Sequence, residues 1–167
     1  TAFNDRYGLN VIGLRYMNVY GPHQDQTAAY TGVVPILLNK IQANESPTIN
    51  GDGSQTRDFT YIDNVVQANN LAATVDNKDA TGQVYNVAFG ATITLNDLIE
   101  KVKSLLVNYD SEIGKVKSTY GPDRKGDVKH SFASIDKART NLNYDPQYSL
   151  ELGLEKAIEW YWNYFKK

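Results

Sequence analysis

The chain has 167 residues, a formal net charge of −2, 41% hydrophobic and 22% charged residues, and no cysteine. That length buries one core of ordinary size, and the balance of apolar and charged residues excludes an intrinsically disordered chain. Mixed charge without a basic stripe argues against nucleic acid, no apolar run approaches a bilayer span, no signal-peptide pattern opens the chain, and the lack of cysteine excludes a disulfide scaffold and a thiolate metal site.

The expected setting is therefore the cytoplasm, with neither membrane nor nucleic acid as a partner. The first residue is Thr1, and Ala2–Gly8 reads as the end of a helix closed by a C′ glycine, so a C-terminal piece of a longer protein is expected. Val11-Ile12-Gly13-Leu14-Arg15-Tyr16 reads as a strand largely buried on both faces, as in a parallel sheet. Asn18-Val19-Tyr20-Gly21-Pro22 ends it in a polar, turn-rich loop, which places Asn18 where open parallel sheets bind ligands. Val34, Leu37, Leu38 and Ile41 form a helical stripe, with Pro35 tolerated in the first turn. Thr48–Asn50 is a short extended piece.

The stretch Ile49–Asn64 carries the most local information. Gly51-Asp52-Gly53 is a turn cluster whose glycines permit positive φ. Beyond it, Arg57, Phe59 and Tyr61 alternate with Asp58, Thr60 and Ile62, as in an extended segment. Asp63 reads as the N-cap of a helix with Val65, Ala68, Ala72 and Val75 on one side. Next come a polar loop over Asn77–Gly82, a strand over Val84–Ala88, and an amphipathic helix opened by a capping-box variant at Thr94-Leu95-Asn96-Asp97. Val116–Tyr120 reads as a short strand and Gly121–Asp127 as a charged loop. Ser134 and Ser149 read as caps of the last two helices. Interleaved strands and helices make the class α/β.

Catalytic groups are sparse. The only Gly-x-Gly, at Gly51 and Gly53, has Thr56 where a third glycine belongs and leads into a strand, so it is not a dinucleotide fingerprint. His23 and His130 have no metal-spaced partners and read as structural or surface residues. No Gly-x-Ser-x-Gly elbow is present. The signal is for an anion. Arg57 and Arg124 adjoin glycine-rich turns, and guanidinium forks match phosphate oxygens bidentately. The alternative pairs Arg57 with Asp58 or Asp63, and Arg124 with Asp123 or Asp127. Phe59 and Tyr61 read as core aromatics rather than stacking platforms.

Three motifs in this order resemble one family. They are Arg15-Tyr16-Met17-Asn18-Val19-Tyr20-Gly21-Pro22, then Gly51-Asp52-Gly53-Ser54-Gln55-Thr56-Arg57-Asp58-Phe59-Thr60-Tyr61-Ile62-Asp63-Asn64, then Tyr85-Asn86-Val87-Ala88. The family is the extended short-chain dehydrogenases/reductases, the NAD-dependent epimerases and dehydratases of nucleotide sugars. Gln24-Asp25, Ala29–Pro35 and Arg124–Ser131 look most like bacterial UDP-N-acetylglucosamine 4-epimerases.

The resemblance implies the last part of a Rossmann-like parallel sheet, with residues 1–22 as its remnant. The small C-terminal α/β substrate-binding domain would follow, and the N-terminal cofactor domain would be absent. Residues 1–167 would then be a nucleotide-sugar-binding region. By resemblance, Asn18, Arg57 and Arg124 hold the diphosphate of a UDP-sugar, and Asp127 accepts a hydrogen bond from the ribose. Gly32, Val33, Leu37, Thr48 and Asn50 line the base pocket, where relatives carry larger aromatics in place of Leu37 and Thr48. Ser131 stands where some relatives carry a tyrosine beside the sugar. Tyr16 and Val19 border the nicotinamide of NAD.

The family's catalytic residue is the tyrosine of a Tyr-x-x-x-Lys motif, and none of the 12 tyrosines has lysine four positions later. No catalytic residue and no metal ligand are therefore expected here. The chain alone is expected to be inactive, and a dimer formed through family helices that it mostly lacks is not carried over. A UDP-glucuronate decarboxylase, a dTDP-glucose 4,6-dehydratase and a non-catalytic nucleotide-sugar-binding module remain alternatives to a UDP-glucose or UDP-N-acetylglucosamine 4-epimerase.

Overall fold

The computed structural model describes residues 2–25 and 31–165, so Thr1 and the Ala29-Tyr30 part of the resemblance lie outside the described residues. A six-residue helix, α1 (Ala2–Tyr7), ends as its sequence predicts. Gly8 adopts φ +63° and returns its amide to the Asn4 carbonyl at 2.9 Å. Strand β1 (Gly13–Tyr16) pairs in parallel with β6 (Val84–Val87), and β2 (Val19–Tyr20) in parallel with β5 (Thr60–Tyr61). Strand β3 (Thr48–Asn50) pairs in parallel with β8 (Thr119–Gly121), and β4 (Thr56–Arg57) antiparallel with β7 (Ile93–Thr94). Among the described residues six α-helices interleave with these strands, which confirms the α/β class.

The strand at β1 is shorter and more open than its apolar run predicts. Gly13 and Leu14 are half-buried, and Arg15 and Tyr16 are exposed. The reason is its pairing: among the described residues β1 has only β6 beside it, so one edge and part of a face meet solvent.

The alternation across Ile49–Asn64 also resolves differently. The segment is two short strands with different partners, and Asp58 and Thr60 are as buried as Phe59 and Tyr61. Both faces lie between layers, so alternation does not separate inside from outside. The helix α3 (Ile62–Thr74) follows β5 without a loop, so the capping position falls on Tyr61, and Asp63 sits exposed in the first turn. The strand expected at Val116–Tyr120 is displaced to Thr119–Gly121, because pairing with β3 begins only at Thr119, opposite Thr48, and Val116 closes a 3-10 turn over Ser111–Lys115.

Other expectations hold. The stripe Val34, Leu37, Leu38 and Ile41 is buried on α2 (Val33–Gln42). Thr94 caps α4 (Leu95–Leu106): its hydroxyl accepts the Asp97 amide at 3.0 Å and donates to the Asp97 carboxylate at 2.7 Å. Ser149 accepts the Leu152 amide at 3.3 Å at the start of α6 (Leu150–Phe165). Ser134, expected as the cap of α5 (Asp136–Leu142), lies one position too early: Ile135 occupies the capping position without a side-chain cap bond, and Ser134 accepts only the Asp136 amide, at 3.3 Å.

Two apolar clusters result. One joins α2, α4 and α6 to Tyr20, Ile49, Phe59 and Tyr61. The other packs α3 and α5 under β6, through Val65, Tyr85, Val87, Ile135 and Leu142. The first is closed by tyrosines whose hydroxyls have assigned partners. Tyr20 donates to the Leu150 carbonyl at 3.1 Å and Tyr161 to the Gly21 carbonyl at 2.7 Å. Burial pushes the Tyr161 hydroxyl up to about 12, so it stays a donor across the physiological range.

Helix α6 reaches these rings through Gly153, where a Cβ would lie 2.2 Å from the Tyr20 hydroxyl and 2.8 Å from Tyr61 Cβ. Gly153→Ala should therefore lower stability by about 1–3 kcal/mol through overpacking, although alanine is the better helix former. A urea titration checks this; a variant as stable as the parent would show that α6 can shift outward freely.

Candidate functional site

Strands β3 and β8 end together, with Asn50 opposite Gly121 and the Gly51 amide continuing the pairing to the Gly121 carbonyl at 3.0 Å. From there the chain turns through Gly51 and Gly53, at φ +77° and +75°. Positive φ favours glycine at both; a Cβ at Gly51 would also lie 2.4 Å from Asp123 Oδ1, the tip of an exposed side chain that would have to turn away. The Asp52 carboxylate closes the turn by accepting the Ser54 amide at 2.9 Å and the Ser54 hydroxyl at 2.6 Å. These Ser54 hydrogen bonds hold the Asp52 carboxyl below its ordinary value.

Strand β4 is then gripped on two sides. Strand β7 pairs with one edge, and the loop at residues 129–131 runs along the other. Thr56 donates its amide to the Lys129 carbonyl at 2.9 Å and accepts the Ser131 amide at 3.1 Å. His130 Nδ1 lies 3.1 Å from the Thr56 hydroxyl. This lateral contact brings Arg57 to Asp127, 70 positions away, at 2.5 Å. The Arg57 side chain is 16% exposed and that of Asp127 37%. Neither Asp58 nor Asp63 is the partner of Arg57, so the local pairing weighed from sequence is replaced by a long-range one. Among the described residues Arg124 forms no ion pair.

Between the Gly51–Gly53 turn and the loop after β8 lies a cleft of about 890 Å³, lined by Asn50, Gln55, Tyr120, Arg124, Asp127 and Lys129 among others. Three expected site residues, Asn50, Arg124 and Asp127, meet there, and Arg57 joins them through Asp127. Ser131 is half-buried beside β4. Thr48 is exposed on β3, its hydroxyl 2.9 Å from that of Thr119.

Asn18 belongs to a second group. It adopts φ +39°, donates Nδ2 to the Asp58 carbonyl at 2.8 Å, and accepts the Thr60 amide on its own carbonyl at 3.2 Å. It is thus stitched to the residue next to Arg57. Gly32 precedes α2 close to the Val19 carbonyl, and Val33 opens that helix half-buried. Leu37, expected at a base pocket, is 4% exposed within the core, because the helical stripe turns it inward with Leu38 and Ile41. Tyr120 and Lys129 escaped the sequence reading, although both adjoin residues it singled out; short loops have no period from which side-chain direction can be read.

Asp58, 1% exposed, accepts the amides of Phe89 and Gly90 at 3.1 and 2.9 Å, tying β4 to the loop after β6. A second cleft, about 590 Å³, lies between α4 and α6 over Phe59 and Phe89. Its one lining cation, Lys101, is bound to Glu151 at 2.5 Å, which leaves no spare positive charge for an anion. The described residues hold no group of three or more potential metal ligands. No helix among them is long and apolar enough to cross a membrane.

The sequence model of the NAD dependent epimerase/dehydratase family matches residues 1–88, more than half of the chain. The chain belongs to this family. Among its relatives is a putative UDP-glucose 4-epimerase of Methanocaldococcus jannaschii, 34% identical over 95% of this chain and 48% of that protein. Among solved structures, the UDP-glucose 4-epimerase of Thermotoga maritima, determined with UDP-glucose, is 37% identical with a TM-score of 0.85, over 97% of this chain and 49% of that one. The UDP-N-acetylglucosamine 4-epimerase of Methanobrevibacter ruminantium M1, in complex with UDP-N-acetylmuramic acid, is 35% identical with a TM-score of 0.85, over 98% and 49%. The chain spans about half the length of the relatives it matches.

The fold is accordingly that of extended short-chain dehydrogenase epimerases. The two residues expected beside NAD, Tyr16 and Val19, lie in β1 and β2. Tyr16 is 48% exposed with its hydroxyl donating to Asn69 Oδ1 at 3.0 Å, and Val19 is half-buried in β2. Two residues do not make a dinucleotide site by themselves, and at the one Gly-x-Gly turn the amides of Gly51 and Ser54 are engaged with the Gly121 carbonyl and the Asp52 carboxylate.

Proposed function

We propose that the chain is the UDP-sugar-binding part of an NAD-dependent nucleotide-sugar 4-epimerase acting on UDP-N-acetylglucosamine or UDP-glucose. Residues 1–22 form the end of its Rossmann-like sheet. The observation that carries this reading is the Arg57–Asp127 pair beside a cleft with two further cations, Arg124 and Lys129. A carboxylate on a guanidinium is the geometry that a phosphate oxygen pair would replace.

In this reading Asn18, Arg57 and Arg124 hold the diphosphate. Asp127, released from Arg57, accepts a ribose hydroxyl. Gly32, Val33, Thr48 and Asn50 border the base, with Leu37 behind them in the core, and Ser131 leaves room beside the sugar for a 2-acetamido group. Tyr16 and Val19 would border NAD, which would supply hydride acceptance and return. The 167 residues contain no Tyr-x-x-x-Lys. Their part is to clamp the diphosphate while leaving the hexose free to turn, which is positioning by the remote end of a substrate.

Calorimetry of the chain with UDP, UDP-N-acetylglucosamine and UDP-glucose tests the reading; heats no greater than those with uridine alone would remove it. The exchange at Asp127 has its own signature. Asp127→Asn frees Arg57, so inorganic pyrophosphate should bind roughly threefold to tenfold more tightly, while UDP loses the ribose contact and gains less or weakens. A parallel fall in both affinities would show that Asp127 does not compete for Arg57.

A further inference from the structure

We infer that Asn96 is a positioning residue for this cleft: its side-chain amide ties the Gly51–Gly53 turn to Tyr120 and so links the two walls. The inference rests on the UDP-sugar reading above and adds a residue that touches neither diphosphate nor base.

Asn96 is the second residue of α4 and is half-buried. Its Nδ2 donates to the Asp52 carbonyl at 3.0 Å, and its Oδ1 accepts the Tyr120 hydroxyl at 3.1 Å. Its backbone amide donates to the Gly53 carbonyl at 3.2 Å. Asp52 and Tyr120 both line the cleft and stand on different elements, the turn after β3 and the strand β8. The contact is close: a Cβ on Gly53 would lie 2.1 Å from Asn96 Oδ1, so the turn rests against the amide with no room for a side chain.

A carboxamide donates to a carbonyl and accepts from a hydroxyl at the same time. An aspartate accepts only, and a leucine does neither. The amide also projects from a rigid element, since Leu98, Ile99, Val102 and Leu106 of α4 are buried and Thr94 caps its first turn. Beyond the turn the chain leads to Arg57, and beyond Tyr120 to Arg124, Asp127 and Lys129. Asn96 therefore adds a side-chain tie, beyond the β3–β8 pairing, between the turn and the strand from which these groups extend. Holding both walls before the ligand arrives lowers the entropy lost on binding.

A ligand that spans the walls should feel this spacing, and one held by the cations alone should not. The test is calorimetry of the 167-residue chain and its Asn96→Leu and Tyr120→Phe variants with UDP and with inorganic pyrophosphate, alongside thermal melts. Asn96→Leu should weaken UDP by about tenfold and pyrophosphate by less than about twofold, with Tyr120→Phe giving a smaller shift in the same ratio. Tyr120→Phe removes one oxygen and keeps the test informative if Asn96→Leu folds poorly. Equal affinities for UDP in parent and variants, or equal losses for both ligands together with a lower melting temperature, would overturn the inference and leave the UDP-sugar reading standing. A parent chain that binds no UDP would remove that reading, and this inference with it.

Discussion

Arg57→Ala should weaken UDP-sugar binding by about 2–4 kcal/mol, a loss of roughly 30-fold to 1,000-fold in affinity. The size follows from burial. The Arg57 side chain is 16% exposed and its Nη1 donates to the Thr56 carbonyl at 2.8 Å, so the fork is held in place before any ligand arrives. Without it, the diphosphate would enter the same partly enclosed position with one cation fewer, while Asp127 would remain as an unpaired carboxylate nearby. Both changes oppose an anion.

Arg57→Lys is the sharper companion. It keeps the charge but loses the planar fork, and should recover only part of the affinity. Calorimetry with UDP at fixed ionic strength reads both variants. A loss under about 0.5 kcal/mol for Arg57→Ala would make the Arg57–Asp127 pair a structural surface bridge and nothing more.

Asp58→Ala should cost about 3 kcal/mol of folding stability, equivalent to a melting-temperature fall of roughly 6–12 °C. The carboxylate accepts two backbone amides inside the protein, those of Phe89 and Gly90, and removing it leaves both donors without a partner. Those amides belong to the loop after β6, and the Asp58 carbonyl holds Asn18. The same residue thus joins the parallel pair β1–β6 to the strand that carries Arg57. Thermal melts of Asp58→Ala check the magnitude; a fall of less than 2 °C would show that the loop finds other acceptors.

A pH series adds a second reading. Burial pushes the Asp58 carboxyl up, and the amides of Gly90 and Phe89 pull it back only in part. A group whose folded value lies above its unfolded value, about 3.9 for aspartate, contributes its stability fully below that unfolded value and loses it as pH rises through the folded one. The stability advantage of the parent over Asp58→Asn should therefore be largest below about pH 4 and shrink toward neutrality. An advantage that grows with pH would mean that the ionised form is the one the fold prefers.

Much of the fold was legible in the residues because its helices are periodic and capped. The stripe Val34, Leu37, Leu38 and Ile41, the Thr94 cap and the Ser149 cap all fell where the sequence put them. Those are local features, decided within one or two turns by side-chain spacing and a hydroxyl near free amides. The short strands were less legible. Two to four residues leave too few alternations to show which face is inside, and pairing partners dozens of positions away decide the burial. Hence Arg15 and Tyr16 turned out exposed on β1, and Asp58 and Thr60 buried beside Arg57.

By itself, then, the sequence determined the class, the helices and the family, and it singled out Arg57 as an arginine in need of an anion. Which anion it meets inside this chain was decided only by the tertiary structure. The loop at residues 129–131 lies along β4 through backbone hydrogen bonds to Thr56. That lateral pairing delivers Asp127 to Arg57 across 70 positions, where no local rule reaches. The two walls of the cleft and the amide of Asn96 between them arise in the same way, from strands β3 and β8 and helix α4 meeting in space. Contacts between elements far apart in sequence depend on the packed core that holds them, and a core exists only once the chain has folded.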